Sequence, residues 1–517
     1  MHRIAPLTPC TSVKTRSKGR VRSAKSANLN GRGNDMTTRF ATAAASASAG
    51  SVLMAVAKPS PRDLRFTRAL AVKNAAWTFD AVPADARKLV RHCLLDWISV
   101  TLAGAQEPVT HMLAEEAREQ GGFPQATVVG HGFAASSRQA ALINGAASHA
   151  LDFDDVNMSF TGHPSVVLVP ALLALAETRG ASGAEFMTAF VAGYETLCRI
   201  GAAVSPGHYA LGFHSTGTIG TFGAAAACAR LLQLDAEDTA DALGIAATQT
   251  AGLKAMFGTM CKPLHAGKAS ADGMMAAQLA ARGFTCRSDA IEAVQGFAAT
   301  HGPDFDPAAG LREPARGLYL RDNLFKYHAA CYGTHAAIEA ARYLRERHGL
   351  DESQVRRATV HAAASSEGVC NIPLPRTGLE AKFSLRHVVA MAIAGIDTAN
   401  MASYSDESTN DLALTELRDR VHVELFRECN ALTQAEVVIE TVDGSILRRR
   451  HDCGIAATDL DAQGARLKNK FRAIAHPLLD PESSKEVLDL IDRLEDLPDL
   501  SPLAGLLACQ PARVSRH

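Results

Sequence analysis

The sequence predicts a mainly α protein, in which a large all-helical domain is built from N- and C-terminal segments and a smaller α+β domain is inserted between them. Three observations lead to this prediction. Apolar residues recur at helical spacing from about residue 66 to residue 297. Alternating and β-branched segments between about residues 357 and 449 include the strong hairpin turn Asp443-Gly444. Helical periodicity then returns after Ala456.

The length of 517 residues is too great for one ordinary hydrophobic core, so we expect two domains. The sequence patterns divide the chain into four segments. Residues 1–62 form a disordered extension that is first basic and then rich in Ala and Ser. Residues 63–321 form the first part of the helical domain, residues 322–458 the α+β domain, and residues 459–517 the returning helical segment. For the extension, the alternatives are a transit peptide, a nucleic-acid-binding tail, a secretory signal, or a start codon assigned upstream of Met36.

Short capping motifs predict where individual helices begin. Ser182 and Glu185 have the spacing of a capping box, and Asp235 precedes the next helix. In the returning segment, a second capping box begins at Ser483 and precedes an apolar helix face. Within the α+β domain, residues 379–394 are expected to be helical.

The composition excludes several classes of function. A net charge of −1 provides no overall field that would favour nucleic acid or an anionic membrane. No apolar run reaches the ~20 residues that a membrane-spanning helix needs. The eleven cysteines are odd in number and never spaced as C-x-x-C, which argues against a disulfide framework and against a zinc or iron–sulfur site. We therefore expect a cytoplasmic protein that binds neither nucleic acid nor membranes.

Four polar clusters interrupt the apolar background, at residues 149–165, 212–217, 258–268 and 326–335. The aspartates of the first cluster could form a solvated loop or bind a metal, and each histidine or lysine could be an ordinary core or surface residue. The spacings H-E-x-x-H and the EF-hand loop, which would support a metal site, are absent. Neither a G-x-S-x-G elbow nor a G-x-G-x-x-G loop supports a serine hydrolase or a dinucleotide site.

Together these clusters suit a small polycarboxylate substrate. Lysines and imidazolium groups would hold its carboxylates, while an Asp or a His moves a proton on a carbon next to one of them. Residues 258–268, which Gly and Pro interrupt, are expected to form a loop whose Lys262 and Lys268 receive an anion. We expect neither a metal nor an organic cofactor.

The clusters also carry a resemblance to a known family. The motifs are His149-Ala150-Leu151-Asp152-Phe153-Asp154-Asp155, His163-Pro164-Ser165, Gly212-Phe213-His214-Ser215-Thr216-Gly217, Phe257-Gly258-Thr259-Met260-Cys261-Lys262-Pro263-Leu264-His265-Ala266-Gly267-Lys268, Cys331-Tyr332-Gly333-Thr334-His335 and Thr377-Gly378-Leu379-Glu380-Ala381-Lys382-Phe383-Ser384. In length and order they resemble those of the MmgE/PrpD family, whose members include 2-methylcitrate dehydratase and cis-aconitate decarboxylase. The resemblance covers roughly residues 65 to 475.

The resemblance implies a helical domain assembled from both ends of the chain, an α+β lid domain, a cleft between the two, and a homodimer. It also implies lyase chemistry without a metal or organic cofactor. The expected site residues are Asp152 and His163 for proton transfer and His214, Lys262, Lys326, His265 and Lys268 for binding substrate carboxylates. Asp154 and Asp155 are expected to be structural.

Four departures from the family pattern bear on the reaction. Val156 stands where the decarboxylase branch has a threonine, and the loop from Val156 to Gly162 is one residue longer. After Lys326, the Tyr-Pro-Cys sequence common in the family is replaced by Tyr327-His328-Ala329-Ala330-Cys331, and Cys370 and Asn371 occupy the place of a decarboxylase tyrosine. We therefore expect a hydro-lyase that dehydrates a small hydroxy-di- or tricarboxylate, as 2-methylcitrate dehydratase does. The alternatives are an isomerase, epimerase or decarboxylase that uses the same α-proton chemistry, and an inactive scaffold protein.

Overall fold

The computed structural model describes residues 65–426 and 431–508. Within these residues the protein is mainly α, as predicted. The extension expected at residues 1–62 lies outside the described residues. None of the described helices is both long enough and apolar enough to cross a lipid bilayer.

The elements are numbered in chain order. The helices of the first part of the chain are α1 (Phe66–Ala75), α2 (Ala84–Gly104), α3 (Pro108–Gln120), α4 (Ser137–His149), α5 (Ser165–Arg179), α6 (Gly183–Val204), α7 (Gly207–Ala210), α8 (Ser215–Leu231), α9 (Ala236–Ala247), α10 (Cys261–Ala280), α11 (Phe297–His301) and α12 (Pro307–Leu311). The later helices are α13 (Tyr332–His348), α14 (Glu367–Cys370), α15 (Gly378–Ala381), α16 (Leu385–Ala394), α17 (Asp406–Thr409), α18 (Leu412–Asp419), α19 (Leu460–Ala475), α20 (Pro481–Asp492) and α21 (Ser501–Ala508). The strands are β1 (Ala126–Val128), β2 (Phe133–Ala135), β3 (Val355–Ala363), β4 (Val421–Phe426), β5 (Gln434–Thr441) and β6 (Ile446–Asp452).

A first hydrophobic core joins the early helices to the end of the chain. It contains Trp97 of α2 and Phe190 of α6 together with Phe471 of α19 and Leu503 of α21, all of them buried. Helix α5 lies in its centre and is buried from its first residue through Ala176. Segments from both ends of the described chain therefore share one core.

A second hydrophobic core lies around a four-stranded sheet. The strand order is β4-β3-β5-β6, with β3 parallel to β4 and antiparallel to β5, and β6 antiparallel to β5. On β5, buried Val437 and Ile439 alternate with more exposed residues, as expected for a strand with one covered face. Ile338 of α13 and Val389 of α16 pack into the same core. The predicted strands and the hairpin at Asp443 are thus present, and a lid function for this unit stays a prediction.

Small residues let α4 and α10 approach closely. A Cβ atom added to Gly145 of α4 would lie 2.7 Å from the Cα of Gly267 on α10, and one added to Gly267 would collide with the carbonyl oxygen of Leu142. Real Cβ atoms do not reach such distances, so both positions require glycine. This contact brings the C-terminal end of α4 beside the first turns of α10.

Local capping explains which predicted helix starts are correct. The Ser182 hydroxyl accepts the N–H of Glu185, and Asp235 accepts two N–H groups of α9, so both predicted caps are confirmed. The start predicted at Ser483 is wrong, because α20 begins three residues earlier. Asp480 accepts the N–H groups of the second and third helical residues, and Pro481 has the fixed φ that suits a first helical position.

The helix predicted over residues 379–394 is divided into α15 and α16. Thr377 caps α15 with its hydroxyl, and Ser384 caps α16 by accepting the N–H of His387 at 3.3 Å. A Ser side chain competes for backbone N–H groups, which favours a new helix start over continuation.

Candidate active site

The polar loop between α4 and α5 is shaped by two residues with left-handed backbone. Asp152 and Thr161 both have φ of 52°. Aspartate tolerates this conformation, whereas for a β-branched threonine it is strained. Buried Asn157 anchors the loop, because its amide donates to the Tyr194 hydroxyl at 3.1 Å and to the carbonyl of Tyr319 at 3.0 Å. The loop therefore holds its aspartates and histidine in fixed positions.

Two lysines from distant parts of the chain meet at the carboxylate of Asp152. Asp152 Oδ1 lies 2.9 Å from Lys262 Nζ and 3.1 Å from Lys326 Nζ. His163 Nε2 lies 3.6 Å from the same oxygen. Three of the predicted site residues thus converge on Asp152, the fourth. The Asp152 side chain is 53% exposed, so a small molecule can reach this point.

The electrostatics of this contact favour charged groups. Partial desolvation by the surrounding protein opposes ionisation of Asp152, but the nearby ammonium groups of Lys326 and Lys262 outweigh it and hold the pKa of this carboxyl below its usual value. Burial likewise opposes a charged Lys326, yet the carboxylates of Asp152 and Asp154 raise its pKa. A carboxylate and two ammonium groups therefore share the centre of the site.

Lys326 reaches the site because the segment before α13 is tied to the polar loop. The backbone groups of Val156 and Leu324 form two hydrogen bonds of 2.8 Å, N–H to carbonyl in each direction. Lys326 follows two residues later, and its side chain is only 3% exposed. The bridge therefore places a lysine at the boundary between the two hydrophobic cores.

Asp154 connects two histidines beneath Asp152. Its buried carboxylate lies 2.7 Å from His163 Nδ1 and 3.1 Å from His149 Nδ1. Burial lowers the pKa of His149 to about 4, so this ring is neutral near pH 7 and its Nδ1–H donates to Asp154. His149 Nε2 is buried and has no hydrogen-bond partner among the described residues. Asp154 thus orients both rings.

Asp152, Asp154, His149 and His163 form one wall of the site, and His214 adds a third ring to it. Its ring stacks at 5.7 Å on His149, and its Nδ1 lies 3.1 Å from Nδ1 of His265. Burial, together with the neighbouring His149 and His163, lowers the pKa of His214. As a neutral ring it can offer a substrate a hydrogen bond but not an ion pair. Phe257 covers it edge-on at 5.0 Å.

The loop predicted at residues 258–268 is wrong, since α10 already begins at Cys261. Lys262 and His265 are three residues apart and share one helix face, whereas Lys268 lies six residues from Lys262, about 240° around the axis. Lys268 instead pairs with Asp272 at 2.8 Å and donates to the carbonyl of Gln249 at 2.6 Å. Its expected role in substrate binding stays a prediction that the geometry does not favour.

Four side chains of the wall could in principle hold a metal ion. The ligand atoms of His149, Asp152, Asp154 and His163 lie within 4.8 Å of one another. However, the two lysine ammonium groups lie within 3.1 Å of Asp152 Oδ1, where they repel a cation and compete for its ligand. The donor set as a whole therefore suits an anion better than a metal.

The sequence predictions did not include His149 and Asp154 among the site residues. Both lie in the motif at residues 149–155, but a spacing of five residues gives no sign that their side chains meet. Asp155 accepts the N–H and the hydroxyl of Ser165, at 3.2 and 2.6 Å, and so fixes the start of α5.

Comparisons with known proteins identify the family of this chain. Residues 68–309 match the model of the MmgE/PrpD N-terminal domain, and residues 328–496 match that of the MmgE/PrpD C-terminal domain. A cis-aconitate decarboxylase from Aspergillus terreus is 27% identical over 459 residues, covering 83% of this chain and 93% of the relative. A cis-aconitate decarboxylase from Homo sapiens is 28% identical over 435 residues, covering 81% and 89%. Because the two domain models together match most of the sequence, the chain belongs to the MmgE/PrpD family.

Proposed function

We propose that the protein is a lyase that acts on a small polycarboxylate at the site formed by Asp152, His163, Lys262 and Lys326. One observation carries the proposal: two lysine ammonium groups lie 2.9 and 3.1 Å from a single, half-exposed carboxylate oxygen of Asp152. A carboxylate of a substrate would satisfy the same ammonium groups. Asp154 and the rings of His149, His163 and His214 provide the remaining polar groups of the wall.

The site can stabilise the charge that lyase chemistry creates. When a bond breaks at a carbon next to a carboxylate, the electron pair delocalises onto that carboxylate, and ammonium groups fixed beside it lower the barrier. Lys262 and Lys326 are fixed in this way by helix α10 and by the Val156–Leu324 bridge. His163, which Asp154 orients, is the group placed to give or take a proton.

Decarboxylation is the reaction that the relatives favour, since the two described above are named cis-aconitate decarboxylases. In such a step a C–C bond breaks and CO₂ leaves. The released electron pair forms a new C=C bond, and the electrons of the former double bond take up one proton. This chemistry needs a single proton donor, and His163 can supply it from its Nε2, 3.6 Å from Asp152.

Dehydration is the second candidate, because it needs a base and an acid side by side and the site contains such a pair. Asp152 and His163 lie 3.6 Å apart. In the free enzyme the lysines make Asp152 a weak base. Once substrate carboxylates engage these lysines, Asp152 loses part of that stabilisation and becomes more basic. Val156, in place of the threonine of the decarboxylase branch, also favours a reaction other than decarboxylation.

One experiment tests both reactions. The purified protein is incubated in deuterated water with cis-aconitate, 2-methylcitrate and citrate, and NMR follows loss of CO₂, loss of water and incorporation of deuterium. Lys262→Met serves as the control for a contaminating enzyme. Loss of CO₂ or of water that this variant lacks supports the corresponding lyase. Deuterium exchange alone would favour an isomerase, and binding without any reaction would favour a scaffold protein.

The proposal includes a cytoplasmic homodimer that needs no cofactor. The eight cysteines seen among the described residues are unpaired, as in a reducing compartment. Sedimentation of the purified protein tests the dimer. Turnover after dialysis against EDTA tests whether a metal ion is needed, because a metal enzyme would lose its activity.

A further inference from the structure

Lys470 of helix α19 is buried behind the active site and uses all three of its N–H donors. Its Nζ donates to Asp96 Oδ1 at 2.7 Å, to the carbonyl oxygen of Phe153 at 2.7 Å and to that of Lys326 at 2.8 Å. The side chains of Lys470 and Asp96 are each 1% exposed. The ammonium group also lies 3.7 Å from the centre of the Phe153 ring. Such a complete set of short contacts defines a single position for all of these groups.

The two carbonyl groups belong to the two segments that build the site. Phe153 directly follows Asp152, and the other carbonyl is that of Lys326 itself. The side chains of these same segments meet at the front, where Lys326 Nζ lies 3.1 Å from Asp152 Oδ1. One ammonium group from the returning part of the chain therefore holds both segments from behind.

Stability alone does not account for this pair. Removing two charges from water costs several kcal/mol per ion, and well-packed apolar side chains often stabilise a protein as much or more. Oδ2 of Asp96 has no hydrogen-bond partner among the described residues, which adds to that cost. Burial raises the pKa of Asp96 and lowers that of Lys470, so the surroundings oppose both charges. A side chain that binds two backbone carbonyls at a defined point needs more than one strong N–H donor. The ammonium group of lysine provides these donors.

We infer that Lys470, held by Asp96, is a positioning residue that sets the distance between Asp152 and Lys326. The inference rests on the proposed function of that site. Lys470 is buried and acts through the backbone of the two segments. A displacement of these segments by about 1 Å would lower the rate roughly 100-fold.

The test uses the full-length protein and the double variant Asp96→Asn/Lys470→Met, which removes both charges and leaves no lone buried ion. Lys468→Met is the matched control, since Lys468 forms an exposed ion pair with Asp492 at 2.6 Å on the same helix. With cis-aconitate as probe, we expect the double variant to lose about 100-fold in kcat/KM, with a higher KM, and the control to stay within about two-fold. A loss of folded protein alone would lower kcat and leave KM unchanged.

A folded double variant with kcat/KM within three-fold of the parent protein, on the order of experimental scatter, would overturn the inference. If the double variant does not fold, Asp96→Asn alone decides, because it removes the charge that holds Lys470. A fall in kcat/KM together with a higher KM then supports the inference, and values within about three-fold of the parent protein would contradict it. If the parent protein acts on no polycarboxylate, the proposed function fails separately. A crystal structure of the variant then tests the inference by the distance between Asp152 and Lys326.

Discussion

Asp154 and His163 are joined by a buried contact of 2.7 Å between Oδ2 and Nδ1, which leaves the opposite ring nitrogen facing Asp152. A histidine that transfers protons works only while its ring is held in one orientation. The carboxylate of Asp154 also binds His149, so it is itself fixed. The residue that the sequence indicated as structural thus lies one contact away from the proposed proton donor.

We predict that Asp154→Asn lowers kcat by roughly 100-fold, the range expected for a group that supports acid–base catalysis. The amide keeps the size of the side chain but removes the charge that holds two histidines. KM should change by less than about five-fold, because the lysines that bind carboxylates remain. Steady-state kinetics with the active substrate measures both. A variant with unchanged kcat would show that the orientation of His163 does not limit the reaction.

Lys262 and Lys326, the two lysines at Asp152, should bind substrate. Lys268, which lies on the same helix as Lys262, should not. We predict that Lys262→Met or Lys326→Met weakens binding of cis-aconitate about 10- to 100-fold, as expected for the loss of hydrogen bonds to a charged group. Lys268→Met is the matched control and should change the dissociation constant by less than about two-fold, because Lys268 pairs with Asp272. Isothermal titration calorimetry measures all three. An equal loss for Lys268→Met would instead restore its predicted role in binding.

Local patterns predicted much of the fold because the responsible interactions are local. Ser182 and Asp235 each satisfy N–H groups two or three residues away, and Asp443-Gly444 closes a hairpin in which Gly444 has φ of 89°. The loop predicted around Pro263 failed for a physical reason. Proline is tolerated in a first helical turn, where its missing N–H is not needed, and Gly267 serves packing against α4.

The candidate site was predicted only in part, since its contacts are long-range. The motifs named Asp152, Lys262 and Lys326 but could not show that one oxygen receives both ammonium groups. Lys470 gave no sequence signal at all, because an isolated lysine in an amphipathic helix is usually exposed. Only the packing of the returning helix against the polar loop reveals that it is buried.

Buried His208 should make the protein less stable in acid. Its Nδ1 donates to the carbonyl of His301 at 2.8 Å and its Nε2 accepts from the hydroxyl of Thr218 at 2.7 Å, and burial lowers its pKa to about 4. Between pH 6.5 and 4 the unfolded chain therefore binds a proton that the folded protein does not. From pH 7 to pH 5 this costs about 2 kcal/mol of unfolding free energy.

Urea unfolding of the parent protein and of His208→Gln, each at pH 7 and pH 5, measures this contribution. The variant loses hydrogen bonds at both pH values, so the quantity to compare is the fall in unfolding free energy from pH 7 to pH 5 in each protein. We expect this fall to be smaller by about 2 kcal/mol in the variant. Between pH 7 and pH 8 both proteins should change alike, since the ring is neutral in both states. Equal losses at pH 5 would mean that His208 becomes protonated inside the folded protein.

The approach of α4 to α10 should be intolerant of any side chain. We predict that Gly267→Ala lowers the free energy of unfolding by about 1–3 kcal/mol or more. The new methyl group collides with the backbone of α4, and neither helix can move without disturbing the core. Gly505→Ala on α21 is the matched control. Among the described residues its added methyl group meets no atom within 4 Å outside its own stretch of helix, and alanine favours the helix by up to about 1 kcal/mol. Thermal unfolding ranks the variants.

Lys262 lies on α10 in the turn before Gly267, so any shift that relieves the collision also moves this lysine from Asp152. The surviving folded fraction of Gly267→Ala should therefore bind cis-aconitate more weakly, whereas that of Gly505→Ala should bind it as the parent protein does. A stable Gly267→Ala variant with normal binding would show that the close contact between α4 and α10 does not position the site.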